Sequence, residues 1–237
     1  MTSKVVSLNM ERHKHFDKVV DFLQREDPPI VCLMEVSEND LKELRGSKYP
    51  YFVYAPNDAM PVSEGSGTTG VAILSKLPIE KPEKFYCGEE DSAYLSDPGM
   101  GTHAPVLITA TIGDIQIGSI HFSWTEAGTV DERQRKHTKI LLEYLKSKGE
   151  IVVCGDFNIP RPNEMYLEIA KSYKDNIPKT IVSTIDPILH RANQVEVGKL
   201  KFLVDYAWTS PTYRVSNLRV VEGVSDHCAL VFNVEQN

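Results

Sequence analysis

The chain reads as an α/β sandwich with mixed sheets. Strand-like segments outnumber helical ones, and hairpins are interleaved with strand-helix-strand units. A purely parallel doubly wound fold would instead alternate strand and helix throughout. With 237 residues, 41% of them hydrophobic, the chain can bury one large core. No Pro/Gly/Ser-rich linker or break in composition divides it, so residues 1–237 are expected to form a single domain.

Each element follows from its pattern. Lys4 to Asn9 alternates as a strand does, with Val6 and Leu8 on one face and Val5, Ser7 and Asn9 on the other. Phe16, Val19, Val20 and Leu23 recur at helical spacing, and Pro28-Pro29 stops that helix. Ile30 to Met34 is a continuous apolar run, as in a strand buried on both faces. Leu41 and Leu44 predict a brief helix before Pro50; Tyr51 to Tyr54 and Gly70 to Ser75 predict strands. Residues 86–104 are polar and irregular, as expected of an active-site loop. Pro105 to Ile112 and Ile115 to His121 alternate around Gly113-Asp114, a hairpin signal. Arg133 to Lys148 is a helix with Thr138, Leu141, Leu142 and Leu145 inward and Gly149 as its stop. Ile151 to Cys154 is a strand, Met165 to Tyr173 a helix, and the last strands lie near Phe202 to Trp208, Tyr213 to Val221 and Ala229 to Val234.

Charge and cysteine usage narrow the function classes. The net charge is −7, whereas a surface that grips duplex nucleic acid throughout is basic. Any nucleic-acid contact is therefore expected to be local. Cys32, Cys87, Cys154 and Cys228 lack CxxC spacing and are expected as buried free thiols. Met1-Thr2-Ser3-Lys4 runs into a strand without an apolar signal region, and no apolar run reaches membrane-span length, so a cytoplasmic protein is expected.

Four segments place metal- or phosphate-handling side chains at the ends of apolar runs: Leu8-Asn9-Met10-Glu11, Leu33-Met34-Glu35-Val36, Gly155-Asp156-Phe157-Asn158 and Ser225-Asp226-His227. A divalent cation needs oxygen ligands converging from several strands, and hydrolysis needs a water-activating group beside it. Asp156 and Asn158, two apart, can project to the same side and hold one water, although Gly, Asp and Asn are also ordinary turn residues. Glu35 shares a strand face with Val31 and Leu33, where a carboxylate needs a partner or a cation. Asn9 and Glu11 share a face at the end of the first strand, and a solvated glutamate is the plainer alternative. Asp205, inside Leu203 to Trp208, needs a partner, and His227 can supply one, provided that a bend near Gly223 turns it inward. His121 ends a hairpin strand with Trp124 close behind, and His103 lies in the 86–104 loop where it can touch a substrate. His13 and His15 fit a solvated face better than a zinc site.

Taken together, these residues resemble the endonuclease/exonuclease/phosphatase superfamily, of the deoxyribonuclease I-like fold. In order, the resemblance runs through Asn9, Glu35, the Gly-Val-Ala-Ile-Leu-Ser strand at 70–75, His121, the Gly-Asp-Phe-Asn turn, Asp205 and the Ser-Asp-His segment. It implies a four-layer sandwich of two largely antiparallel sheets flanked by helices, with the site at one end. It also implies Glu35 as main Mg²⁺ ligand (Mn²⁺ as a substitute), with Asn9 and Asp226 near the ion and Glu11 as an outer carboxylate. Asp156 would activate water, Asn158 would hold water or phosphate, and His227, oriented by Asp205, would bind phosphoryl oxygens. His121 matches the deoxyribonuclease and sphingomyelinase pattern, where abasic endonucleases carry tyrosine. Many members have Gln-Glu where this chain has Met34-Glu35. Three stretches, Arg133-Gln134 through Leu145, Thr184-Ile185-Asp186 and Lys201 to Asp205, are similar to the compact branch containing 5′-tyrosyl-DNA phosphodiesterase. That branch, however, follows Gly-Asp with Thr-Asn.

The function expected on these grounds is a Mg²⁺-dependent phosphodiesterase acting on single-stranded or end-processed nucleic acid, and a monomer is expected. A phosphomonoesterase or lipid-headgroup hydrolase on the same scaffold is the alternative, and a non-catalytic binding protein the third class.

Overall fold

The computed structural model describes residues 2–46, 48–59, 67–88, 104–194 and 196–237. His103 and most of the 86–104 loop lie outside them. Twelve strands form two six-stranded sheets among the described residues. The first sheet holds β1 (Ser3–Asn9), β2 (Ile30–Ser37), β3 (Tyr51–Ala59), β4 (Thr68–Ser75), β11 (Tyr213–Val221) and β12 (Ala229–Gln236), in the order β11-β12-β1-β2-β4-β3. The second holds β5 (Ile79–Tyr86), β6 (Val106–Ile112), β7 (Ile115–His121), β8 (Val152–Asp156), β9 (Lys174–Asp175) and β10 (Asp205–Thr209), in the order β5-β6-β7-β8-β10-β9. Helices α1 (Phe16–Glu26), α2 (Glu38–Arg45), α3 (Glu132–Lys148) and α4 (Glu164–Ala170) flank the sheets.

Each sheet has one parallel pair at its centre: β1 with β2, joined through α1, and β7 with β8, joined through α3. All other pairings are antiparallel. A parallel pair needs a long crossover, and a helix supplies it. Each helix then packs the outward-facing residues of its own sheet. Val6, Leu8, Val31, Leu33, Ala72 and Leu74 meet Phe16, Val19, Phe22 and Leu23 of α1 and Leu41 of α2. Beneath the other flank, Tyr166 of α4 packs on Tyr206 and Trp208 of β10.

Between the sheets the alternate residues meet. Cys32 of β2 faces Cys154 of β8, whose thiol together with burial holds Cys32 well above the ordinary thiol range. Ser119 Oγ of β7 lies 3.9 Å from Met34 Sδ. All four cysteines are buried and free, as expected.

Two elements depart from the sequence reading. Strand β5 shows no apolar alternation because it is an edge strand with five exposed residues, broken by Pro82 and by a register shift between Glu80 and Glu83. On α3 the buried stripe includes Gln134 and His137, whereas Leu142 is only partly buried.

The close approach of β7 and β8 requires a glycine. Gly155 has φ +142°, and a Cβ there would lie 2.1 Å from the Ile120 carbonyl oxygen. Gly155→Ala is expected to lower unfolding free energy by about 2 kcal/mol or more, since overpacking and backbone strain combine. Urea denaturation measures this, and an unchanged midpoint would show that the two strands part at no cost.

Candidate active site

The carboxyl ends of the four central parallel strands carry the candidate residues. In the first sheet, Asn9 closes β1 opposite Met34 of β2. Regular alternation would turn Glu35 toward Val31 and Leu33, beneath the helices. Instead, the β2–β4 register shifts between Leu33 and Val36, and Glu35 has φ +55°. This bulge re-aims the carboxylate into the end of the sandwich. Asn9 Nδ2 donates to Glu35 Oε1 at 3.1 Å and to Asp156 Oδ2 of the other sheet at 3.2 Å.

In the second sheet, His121, Asp156 and Asp205 stand side by side on β7, β8 and β10, because their registers pair them directly. His121 Nε2 lies 3.8 Å from both Glu35 Oε1 and Asp156 Oδ2. Asn158 is not brought round by strand alternation, since β8 ends at Asp156 and Asn158 has φ +52°. Its backbone N donates to Asp156 Oδ1 at 2.8 Å, an Asx turn, and its Nδ2 donates to the Phe122 carbonyl at 3.0 Å. The Gly-Asp-Phe-Asn segment is thus a turn that leaves Asp156 Oδ2 facing the site. Positive φ at Glu11, Glu35 and Asn158, none of them glycine, concentrates backbone strain here.

Ser225-Asp226-His227 enters through a bend after Gly223, whose φ is +78°. The 184–186 segment pins it. Ile185 bridges to His227, Asp186 N donates to Asp226 O at 2.8 Å, and Cys228 N donates to Thr184 O at 2.7 Å. His227 Nδ1 then lies 2.9 Å from Asp205 Oδ2, and its Nε2 lies 3.9 Å from Asp156 Oδ2. Thr184 Oγ1 accepts from the backbone N–H groups of Val204 and Asp205, each at 3.1 Å, which fixes the start of β10.

Burial dominates the electrostatics. It pushes Asp156 up to about 7, with Asp205 adding and His227 opposing. It pushes Asp226 up to about 7 as well, with Glu35 and Glu11 adding and His227 opposing. At His227 burial disfavours the charge, but Asp205, Asp156 and Asp226 together outweigh it and hold the imidazole well above its usual range. His121 is held down to about 3 by burial and by the His227 charge, and is neutral. The site therefore pairs one imidazolium with one neutral imidazole.

The remaining predicted residues sit at the rim. Glu11 pairs with Lys14 and, at 3.2 Å, with His15 Nε2; its backbone N donates to Asn9 Oδ1. His15 is thus largely buried instead of solvated, while His13 is exposed beside Asp40. Trp124 is exposed after β7, with its carbonyl held by Arg133.

Sequence reading missed Asn57, a buried β3 residue whose Nδ2 lies 3.3 Å from His121 Nδ1. If Asn57 Nδ2 is the donor, His121 carries its proton on Nε2, toward Glu35 and Asp156. Asn-Asp at a strand end looks like a turn, and only the β3 bulge between Pro56 and Asp58 explains its burial. Gln134 was also missed; its Nε2 donates to the carbonyls of Ser123 and Asn158, tying α3 to both site loops.

Asp205→Asn removes the charge that most strongly raises His227, so the histidine pKa should fall. A pair that raises a folded-state histidine pKa stabilises fully below the unfolded value of about 6.5 and ceases to do so as pH rises through the folded value. Wild-type stability should accordingly decline with pH above about 6.5, and more steeply than that of Asp205→Asn. Histidine NMR titration and pH-dependent melts test this; an unmoved His227 resonance would break the assignment.

Comparison with known proteins shows the family and the fold. The model of the Endonuclease/Exonuclease/phosphatase family matches residues 6–227. No curated protein matches the chain. Among solved structures, the chain is similar to an endonuclease/exonuclease/phosphatase from Bacteroides vulgatus, with TM-score 0.73 and 17% identity over 100% of both chains. It is similar to a mannosyl-6-phosphatase from Bacteroides thetaiotaomicron, with TM-score 0.72 and 15% identity over 99% of both. An AP endonuclease from Archaeoglobus fulgidus gives TM-score 0.65 and 19% identity over 97% of this chain and 98% of that one. These likenesses show the fold. With the family match spanning nearly all of its length, the chain belongs to the endonuclease/exonuclease/phosphatase family.

Proposed function

We propose that this chain is a phosphodiesterase of nuclease or DNA-end-processing type, with residues 1–237 acting as one domain, that attacks its substrate in line with an activated water. The family is one of phosphoester hydrolases. The observation that carries the reading is the meeting of Asn9, Glu35, His121 and Asp156 at the ends of two parallel strand pairs.

The donor set fits a hard divalent cation, Mg²⁺ with Mn²⁺ as a substitute. Glu35, Asn9 and Asp226 offer oxygen ligands, and the Glu35 and Glu11 charges that help to raise Asp226 invite a cation. Asp156, Asp205 and His227 also bring potential ligand atoms within 4.8 Å of one another. That second trio is the poorer cation site, because His227 uses Nδ1 on Asp205 and is itself positive. We therefore assign the ion to the Glu35 side, with Glu11 as an outer carboxylate. A bound divalent cation would neutralise charge on the phosphoester oxygens.

The chain's own groups divide the remaining work. Asp156, near neutrality in its pKa, takes or orients the proton of the attacking water through Oδ2. His227, with Nδ1 held by Asp205, donates from Nε2 to a phosphoryl oxygen as charge develops there. Neutral His121 is a second donor. Asn158 has one amide hydrogen left after Phe122 and offers it to water or phosphate. Trp124 supplies an exposed ring on which a base can stack. The acidic chain favours single strands or ends over duplex grip.

Hydrolysis of a chromogenic phosphodiester should stop in EDTA and return with Mg²⁺ or Mn²⁺; full activity in chelator would sink the reading. Faster turnover of the matching monoester would transfer the assignment to a phosphatase.

Mg²⁺ should raise the melting temperature of wild type but not of Glu35→Gln. Asp156→Asn should bind substrate yet lose about 10²–10⁴ in single-turnover rate. Near wild-type cleavage by that variant would reduce the segment to a turn.

A further inference from the structure

The segment after Asp186 is built against the site, yet the chemistry above does not use it. Asp186 fixes its entry. Oδ1 accepts from Ile188 N at 2.9 Å and Leu189 N at 2.7 Å, and Oδ2 accepts from Gly223 N at 2.7 Å. Asn193, fully buried, fixes its exit. The amide donates to Asp186 O at 2.9 Å and Leu200 O at 3.3 Å, and Oδ1 accepts from Leu200 N at 2.7 Å. Between these clamps the chain presents His190 and Arg191.

His190 Nδ1 accepts from Ala192 N at 3.2 Å, which leaves the ring proton on Nε2. Among the described residues that N–H meets no acceptor. The ring stands edge-on to His227, with centroids 6.5 Å apart and planes at 67°. Burial, and then the His227 charge, hold His190 below the ordinary imidazole range, so it is a neutral donor. Arg191 is exposed and has no ion pair among the described residues, whereas Lys14 is paired with Glu11, and the two charges of that pair reach His190 with opposite sign. A preorganised N–H donor beside an uncommitted guanidinium suits an anionic oxygen, and the guanidinium fork matches phosphate in particular.

We propose that His190 and Arg191 form a subsite beside the reacting phosphoester that binds a second phosphate group of the substrate. That phosphate belongs either to the neighbouring link of a nucleic-acid strand or to a small bisphosphate. The inference rests on the phosphodiesterase reading and adds the group that the site selects.

The test compares thymidine dinucleotide with the same dinucleotide bearing a further terminal phosphate, and with thymidine 3′,5′-bisphosphate as the small-molecule arm. His190→Ala and Arg191→Ala should each lower kcat/KM for the phosphorylated dinucleotide on the order of ten- to a hundredfold, chiefly through KM, and should weaken calorimetric binding of thymidine 3′,5′-bisphosphate by a similar factor. Cleavage of the plain dinucleotide should stay within about twofold, as expected when only a remote contact is lost. His190→Gln, which keeps an N–H donor, should retain most of the preference. An equal loss on both classes of substrate would overturn the subsite. Should His190→Ala melt early, Arg191→Ala alone decides, because its side chain is exposed. If wild type cleaves neither dinucleotide, the phosphodiesterase reading falls. Calorimetric binding of thymidine 3′,5′-bisphosphate then decides the subsite: weakening by both substitutions supports it, and unchanged or absent binding overturns it.

Discussion

Negative charge gathered out of water at one end of the sandwich is the constraint on which the rest of this structure depends. Glu11, Asp156, Asp205 and Asp226 are all buried there, with Glu35 beside them. An isolated buried carboxylate is costly, so each must be neutralised, paired or hydrogen-bonded. The protein spreads these solutions over different elements. Glu11 takes Lys14 and His15, Asp205 takes His227, and Asp156 shares donors from Asn9 and the Asn158 backbone. Burial, which one imidazolium does not offset, keeps Asp156 and Asp226 raised toward neutrality. A divalent cation bound in this place would relieve an electrostatic tension that folding itself creates.

That concentration of charge follows from topology. Two strand-helix-strand crossovers, one in each sheet, put four strand ends at the same edge of the sandwich. Ligands in open α/β sheets bind beyond the carboxyl ends of parallel strands, and here two such pairs are stacked face to face. Close approach within the second pair depends on Gly155, and contact between the pairs on Asn9, whose amide spans from one sheet to the other. The strained backbone at Glu35 persists inside the buried strand β2, and that at Asn158 is held by the hydrogen bonds of its backbone N to Asp156 and of its amide to Phe122.

The fold was largely legible because its central strands are continuous apolar runs and its helices carry clear stripes and stops. The edges were not. Strand β5 pairs on one side only and needs no apolar face. The candidate residues were legible in type but not in their means of placement. Alternation put Glu35 beneath the helices, and the site receives it only because one extra residue in β2 breaks the alternation. Asn57 and Gln134 act through partners far away in the sequence, so no local spacing could reveal them. Asp205 with His227, by contrast, was found because a carboxylate inside a buried strand demands a partner.

Rigid and adaptable parts of the site are thus separated in the chain. The strand ends fix Asn9, Glu35, His121 and Asp156 to within the hydrogen-bonded geometry of two sheets. The 186–193 segment is irregular in backbone, yet it is clamped at both ends by buried Asp186 and Asn193. Such clamping holds a loop in one shape without lending it to the core, so the residues between the clamps can change with little effect on folding. His190 and Arg191 occupy that position, against the one charged imidazole of the site. Carrying positive charge on this loop, instead of across the surface, would allow an acidic protein to attract a phosphate-bearing substrate at a single place.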